Sequence, residues 1–182
     1  MSAGLIEGEY KALIYSTRSL PEELVQKINA RGIALQQDDY IEIDYDFNEE
    51  SFYQRLNNPA SQARIFTSKN AVFSLQKLAA SRSLSFISKR NFTVGVRATE
   101  MLEEFGIKAD ARAGNAISLA QIIARNKDVK AVDFFCGDQS LDDLPEYLES
   151  KGVSVHREIV YKTKLVQHKV DSSLFGGVIF LS

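Results

Sequence analysis

Apolar positions along the chain switch between short continuous runs and helical spacing, and residues 63 to 78 show this most clearly. Ala63–Phe66 has the length and apolar character of a buried strand, and Val72–Leu78 carries apolar residues at the intervals of a helix face. The polar turn Thr67–Asn70 separates them, and Thr67 or Ser68 can cap the helix. This stretch therefore predicts a strand, a tight turn and a helix in direct succession.

Strand and helix patterns follow one another along nearly the whole chain. Further strands are predicted at Lys11–Tyr15, Ile33–Leu35, Leu84–Ile87, Phe92–Val96, Ile107–Ala111, Ala131–Phe135, Val153–Val160 and Gly177–Leu181. Helical patterns separate most of them. This alternation predicts parallel sheets flanked by helices, which is an α/β fold.

Two helix starts carry recognisable capping patterns. Ser19 is followed by a proline and a glutamate in the order of a capping box, so a helix is predicted to begin at Ser19 with Leu24 on its buried face. Asn48 is predicted to cap the next helix, with Phe47 and Phe52 packed together as a hydrophobic staple.

Two extended segments, Tyr40–Tyr45 and Val160–Gln167, differ from the strand–helix units because each is polar on one face. They bracket a run of such units, which predicts an inserted domain connected by two linker strands to a domain built from both ends of the chain. The predicted boundaries are 1–38 with 168–182 for the first domain, 39–45 and 160–167 for the linker strands, and 46–159 for the second domain.

The last strand repeats the form of an earlier one without the helix that should follow it. Val178–Ser182 repeats the form of Arg64–Ser68, yet no helix follows it in the sequence. A parallel strand needs a crossover connection to return to its sheet. We therefore expect the first domain to be incomplete at its carboxyl end and the sequence to be a fragment of a longer protein.

Composition and charge narrow the class of protein. The formal net charge is −2, so attraction to nucleic acid or to an anionic membrane is not expected. The single cysteine, Cys136, excludes an internal disulfide. No signal peptide and no apolar run of membrane-spanning length is present, which predicts a soluble cytoplasmic protein.

Several common catalytic motifs are missing from the sequence. It has no dinucleotide-binding glycine fingerprint, no phosphate loop, no paired-cysteine zinc motif and no nucleophile elbow. His156 and His168 are predicted to be surface residues, and Cys136 a small core residue. These observations argue against a conventional hydrolase or dehydrogenase.

Polar loops follow the predicted strands where an open α/β sheet forms its binding crevice. Each loop offers backbone N–H groups, and Lys69 and Arg97 add positive charge to two of them. Such an edge suits a ligand with several carboxylates. The loops are Thr67–Asn70, Gly95–Thr99, Gly114-Asn115 and Gly137-Asp138.

Five segments, in order, resemble the uroporphyrinogen-III synthase family. Ile65–Val72 matches its phenylalanine-threonine-serine and alanine-valine signature, and the other matches are Val94–Gly106, Gly114–Ala120, Phe134–Gly137 and Val160–Thr163. Two departures stand out. Ala98-Thr99 replaces the commoner threonine-alanine pair, and Ser140–Asp142 lacks the basic residue often found there.

The resemblance implies conversion of linear hydroxymethylbilane into cyclic uroporphyrinogen III, with loss of water and inversion of the last pyrrole ring. It also implies two flavodoxin-like or Rossmann-like parallel-sheet domains joined by a two-strand linker, no metal, no organic cofactor and a monomer whose only partner is the small-molecule substrate. Tyr161 is the candidate proton donor to the departing hydroxyl. The candidate substrate-binding residues are Thr67, Ser68, Lys69, Gly95, Arg97, Thr99, Asn115 and Gly137.

Two alternatives remain open at this point. The chain could be a non-catalytic α/β ligand-binding module, or a degenerate member of the family that keeps the fold without turnover. Tyr161 could equally be a linker tyrosine with an apolar ring and a solvated hydroxyl.

Overall fold

The computed structural model describes residues 10–84 and 87–181, which form nine strands and six α-helices. The strands are β1 Ala12–Ser16, β2 Ile33–Gln37, β3 Ile41–Asp44, β4 Ala63–Phe66, β5 Arg90–Val94, β6 Ala111–Ala113, β7 Ala131–Gly137, β8 Ser154–Leu165 and β9 Gly177–Ile179. The helices are α1 Glu22–Asn29, α2 Glu49–Leu56, α3 Lys69–Ser81, α4 Val96–Glu104, α5 Ala116–Ala124 and α6 Asp143–Ser150, with a short 3₁₀ turn at Ser172–Leu174.

The strands form two sheets. One has the order β2-β1-β9, and the other has the order β3-β8-β7-β4-β5-β6. Strand β1 is parallel to both of its neighbours, and the pairs β8–β7, β7–β4, β4–β5 and β5–β6 are parallel as well. The predicted α/β fold with parallel sheets is confirmed.

The chain divides into two compact units. The first contains the described residues up to Glu42 and those from Lys164 onward, and the second contains Ile43–Thr163. Both boundaries therefore fall inside strands, one in β3 and the other in β8.

The second unit has hydrophobic cores on both faces of its sheet. Successive side chains of a strand point to opposite faces, so Ile65 and Phe134 join one core while their neighbours Phe66 and Phe135 join the other. Helices α5 and α6 cover the first core, and α2, α3 and α4 cover the second. All four residues of β4 are buried, as expected for a central strand covered on both faces, and the buried Arg64 guanidinium donates to the Leu56 carbonyl.

The first unit differs from the prediction at its helix. Ser19 does not cap α1, because its backbone N–H and its hydroxyl both donate to the Asp39 carboxylate at 2.8 Å. These bonds also hold the pKa of Asp39 below its usual value. The helix begins instead at Glu22, directly after Pro21. Leu24 is 44% exposed and α1 has no buried residue, so its predicted buried face is wrong.

Several strands of the second unit also begin or end at residues other than those predicted. The strand predicted at Ile107–Ala111 is β6, which begins only at Ala111, because the Ile107 N–H still bonds the Leu102 carbonyl at the end of α4. Strand β5 ends before Gly95, whose positive φ of 77° turns the chain into α4. In the strand predicted at Leu84–Ile87, residues 85 and 86 lie outside the described residues, and the two ends are not in a strand.

The start of α2 follows the prediction. The side chain of Asn48 accepts a hydrogen bond from the Ser51 N–H at 2.9 Å, and the rings of Phe47 and Phe52 lie 5.5 Å apart in an edge-to-face contact. Both the cap and the hydrophobic staple are confirmed. No helix in the described part of the chain is long and apolar enough to cross a membrane.

A charged cluster lies inside the second unit on β7. The Asp133 carboxylate is fully buried and accepts hydrogen bonds from the Ser61 hydroxyl and from Lys89 Nζ, the latter at 2.9 Å. The side chain of Lys89 is itself only 2% exposed, and this burial lowers its pKa, while the bond to Asp133 raises it. Each charge in this pair therefore depends on the other for its compensation.

Replacing Asp133 with asparagine tests that dependence. The change leaves the Lys89 ammonium buried without its counter-charge, and we expect the free energy of unfolding to fall by about 3 kcal/mol. Urea denaturation followed by circular dichroism measures it. Asp128→Asn is the matched control, because the Asp128 carboxylate is 90% exposed and lies 3.9 Å from Arg90. Equal stability of the two variants would contradict this account of the cluster.

Candidate functional site

The carboxyl ends of five neighbouring strands place the candidate site at one edge of the six-stranded sheet. Strands β8, β7, β4, β5 and β6 are adjacent in that order and run parallel, so the loops that follow them lie side by side. Tyr161, the β7–α6 loop and the starts of α3, α4 and α5 therefore lie along one edge of the second unit. In open α/β sheets this edge forms the ligand site.

The β4–α3 loop forms the predicted capped corner. Ser68, rather than Thr67, is the cap, because its hydroxyl oxygen accepts a hydrogen bond from the Asn70 N–H at 3.0 Å. Lys69 is the first residue of α3 and is exposed, whereas Thr67 is half-buried. A helix amino terminus with an exposed ammonium beside it favours a negatively charged ligand.

The β5–α4 loop leaves its helix without a side-chain cap. Gly95 occupies the cap position, and none of the described side chains caps the N–H groups of the first turn of α4. Val96 and Arg97 are exposed in that turn. The amino terminus of α4 therefore offers uncapped backbone N–H groups next to a guanidinium, which is a second arrangement suited to a carboxylate.

Thr99 lies behind this turn. It is only 7% exposed, its hydroxyl donates to the Gly95 carbonyl at 2.9 Å, and the same oxygen lies 2.7 Å from Thr93 Oγ1. The structure thus places Thr99 where it fixes the conformation of the Gly95 turn. Its neighbour Ala98 is also buried.

The β6–α5 loop is capped by Asn115. Its side-chain oxygen accepts a hydrogen bond from the Ser118 N–H at 2.8 Å, and the residue is exposed. Asn115 therefore caps α5, and its amide lies at the start of that helix.

Gly137 and Tyr161 are in direct contact where β7 meets β8. The register shifts at this point, so that Cys136 pairs with Ile159 and Gly137 pairs with Tyr161. A Cβ atom added to Gly137 would lie 2.5 Å from Cε2 and Cζ of the Tyr161 ring and 2.8 Å from its hydroxyl oxygen. Only glycine leaves room for the phenol here, so the tyrosine ring lies against the backbone of β7.

The loop after β7 is tied to the same strand. The Asp138 N–H donates to the Tyr161 carbonyl at 3.2 Å, and Asp138 Oδ1 accepts from the Thr163 N–H at 2.9 Å. Asp138 therefore holds the β8 backbone at Tyr161 and at Thr163, two residues further along.

Arg157 is a residue of this region that the sequence did not reveal. Its guanidinium donates to Asp142 Oδ1 at 2.5 Å, to the Ser140 carbonyl and to Cys136 Sγ at 3.3 Å. The contact with Cys136 raises the pKa of Arg157, and burial raises the pKa of the Cys136 thiol. The positive charge missing from Ser140–Asp142 thus comes from β8.

Tyr45 is the second such residue. Its hydroxyl donates to Asn70 Oδ1 at 3.2 Å, and its ring centroid lies 4.8 Å from that of Phe73. Burial raises the pKa of Tyr45, and the neighbouring Tyr161 raises it further. In the sequence it merely closes the alternating segment Tyr40–Tyr45, and nothing there links it to the β4–α3 loop.

The described parts of the chain contain no cluster of side chains that could bind a metal ion. Across residues 10–84 and 87–181, no three histidine, cysteine, aspartate or glutamate side chains come together as a metal site. The chemistry available at this edge consists of helix amino termini, an ammonium, a guanidinium and phenols.

Comparison with known proteins agrees with the architecture. A relative from Saccharomyces cerevisiae described as uroporphyrinogen-III synthase is 31% identical over an alignment that covers 55% of this chain and 42% of that protein. The chain therefore spans less than half the length of this curated relative.

Solved structures show the same fold at low sequence identity. A mutant uroporphyrinogen III synthase from the extremely thermophilic bacterium Thermus thermophilus matches with a TM-score of 0.66 and 14% identity, over 85% of this chain and 64% of the other. Uroporphyrinogen-III synthetase from Helicobacter pylori 26695 matches with a TM-score of 0.54 and 18% identity, over 90% and 65%.

The family model described as Uroporphyrinogen-III synthase HemD matches residues 19–182, which include the whole second unit and part of the first. By this match, the chain belongs to the uroporphyrinogen-III synthase family.

Proposed function

We propose that this chain is part of an enzyme that cyclises hydroxymethylbilane to uroporphyrinogen III. The observation that carries the proposal is the contact between Gly137 and Tyr161, at the same sheet edge as the amino termini of α3, α4 and α5. This contact holds one phenol beside a row of groups suited to carboxylates. Membership of the family supplies the reaction.

The acetate and propionate groups of the substrate would bind along this edge. The start of α3, with Ser68 and Lys69, and the uncapped start of α4, with Gly95 and Arg97, are the two strongest positions for a carboxylate. Thr67 and Asn115 would contribute further polar contacts, and Gly137, which is buried against the Tyr161 ring, would act by leaving room for that phenol. Thr99 would act by holding the Gly95 turn.

Tyr161 would donate a proton to the hydroxyl that leaves the terminal pyrrole. The hydroxyl departs as water, and the resulting azafulvene is the electrophile that the pyrrole framework attacks. Attack by the substituted α-carbon of the last pyrrole leaves that carbon without a hydrogen to lose, so its bond to the original methylene would break and leave a second azafulvene there. The inverted ring would then close onto this methylene through its free α-carbon, and the proton released in that closure would restore the phenol. Because the departing group is already activated by its pyrrole, the larger contribution of the enzyme would be orientation of the chain for closure at the substituted carbon.

We also propose that the two units are the two domains typical of this family. Residues 1–38 with 168–182 would form the first domain, 46–159 the second, and 39–45 with 160–167 the linker strands. We expect a cytoplasmic monomer that acts on its small-molecule substrate without a cofactor.

The test of this function is turnover of freshly prepared hydroxymethylbilane, with product isomers separated by chromatography. It should use the full protein that contains this chain. We expect type III product, since spontaneous closure gives type I. Type I product alone would reject the synthase activity and favour a non-catalytic ligand-binding member of the family.

Replacing Tyr161 with phenylalanine tests the proton donor. The ring and its contact with Gly137 are kept and only the hydroxyl is lost, so we expect type III formation to slow by about tenfold or more, a barrier increase of about 1.4 kcal/mol. The control is Tyr147→Phe, in which the same hydroxyl is removed from α6. An unchanged rate in Tyr161→Phe would remove this residue from the mechanism.

Replacing Gly137 with alanine tests the contact itself. The added methyl group would meet the Tyr161 ring at 2.5 Å, so the ring must move, and we expect a rate loss at least as large as that of Tyr161→Phe. Gly177→Ala adds the same methyl group in β9, where nothing described lies within 4 Å. Full activity in Gly137→Ala, with the control also active, would show that the position of the ring does not matter.

A further inference from the structure

We infer that Tyr45 is a positioning residue for the reaction proposed above: its hydroxyl fixes the Asn70 side chain so that the Asn70 amide N–H₂ binds a substrate carboxylate at the start of α3. This inference rests on the proposed function and extends it to two residues outside the predicted site. It assigns a substrate contact to Asn70 and an indirect role to Tyr45.

The first step is the hydrogen bond between the two side chains. Tyr45 donates to Asn70 Oδ1 at 3.2 Å, which uses the carbonyl end of the amide. An asparagine amide carries two N–H donors on its other end. Among the described residues, none accepts a hydrogen bond from Asn70 Nδ2. The bond to Tyr45 thus leaves the donor end of Asn70 available for a ligand.

The second step is the position of Asn70. Its backbone N–H bonds the Ser68 hydroxyl, and its residue number places it in the first turn of α3, directly after Lys69. Asn70 and Lys69 therefore both belong to the first turn of α3, at the helix amino terminus. This turn carries three kinds of anion-binding group: backbone N–H groups, an ammonium and an amide.

The third step is the way in which the Tyr45 ring is held. The ring packs against Phe73 with centroids 4.8 Å apart, and Lys77 Nζ lies 5.4 Å from the ring centroid. These contacts do not involve the hydroxyl. Substitution by phenylalanine should therefore keep the ring in place and remove the hydrogen bond alone.

The fourth step is the protonation state. Burial, and then the nearby Tyr161, raise the pKa of Tyr45 above its ordinary value. The hydroxyl therefore stays protonated, and able to donate, across the neutral pH range.

The experiment is a double-mutant cycle in the full protein, with Tyr45→Phe, Asn70→Ala and the double variant. Loss of one hydrogen bond in each single variant should raise KM about tenfold and leave kcat within about twofold. Because both residues act through one contact to the substrate, the double variant should be no worse than Asn70→Ala. Tyr53→Phe is the control, since that tyrosine lies in α2 with its ring against Arg82.

The outcomes separate this inference from the proposed function. An unchanged KM in Tyr45→Phe, or single effects that multiply in the double variant, would overturn the role of Tyr45 while type III synthesis by the parent protein stands. A fall in kcat alone would also overturn it, since positioning for binding predicts the opposite split.

Binding of the type III product, measured by calorimetry under nitrogen, gives a readout without turnover. Tyr45→Phe should weaken it by a factor similar to the KM change. If the parent protein makes no type III product, the synthase proposal fails. The ratio of the product affinities of Tyr45→Phe and of the parent protein still tests the role of Tyr45. Equal affinities, or no binding by the parent protein, would overturn it.

Discussion

The central constraint on this structure is the burial of strands β4 and β7 on both faces of one sheet. Phe134 and Phe135 are adjacent in sequence yet belong to different cores, and the same holds for Ile65 and Phe66. Neither strand can shift by one residue without exchanging its two sets of side chains. The ends of these strands, and with them the loops of the candidate site, are consequently fixed by hydrophobic packing that lies well below the edge.

At the edge itself, loops are held by hydrogen bonds from side chains that lie beyond the loop. Thr93 and Thr99 bond to each other behind the Gly95 turn, and Arg157 reaches from β8 to the turn after β7. Tyr45 does the same for the β4–α3 loop. A site whose main task is to orient a flexible substrate needs such fixed loops more than it needs a strongly perturbed acid or base.

The sequence predicted the fold class, the strand–turn–helix unit around β4, the cap at Asn48 and a cap at either Thr67 or Ser68, because each depends on residues close together in the chain. It failed at Ser19, where Asp39, twenty positions away, takes the hydroxyl that would otherwise cap α1. The roles of Tyr45 and Arg157 were not predicted for the same reason. Their hydrogen-bond partners are distant in sequence and are brought close by the order of the strands, which local sequence patterns do not reveal.

Gly137 illustrates which features a local sequence pattern predicts and which depend on a distant contact. Its sequence context indicated a tight loop at the end of a buried strand, and that is where it lies. What the sequence could not supply is the register shift between β7 and β8 that brings Tyr161 opposite this residue. The shift places a phenol over the one position of β7 that has no side chain. If Tyr161 is the proton donor, its reach is set by backbone pairing rather than by a hydrogen-bonding partner, since none of the described side chains bonds its hydroxyl. A hydroxyl that is free of such partners can direct its proton to the substrate, and the surrounding ring contact keeps it from swinging away.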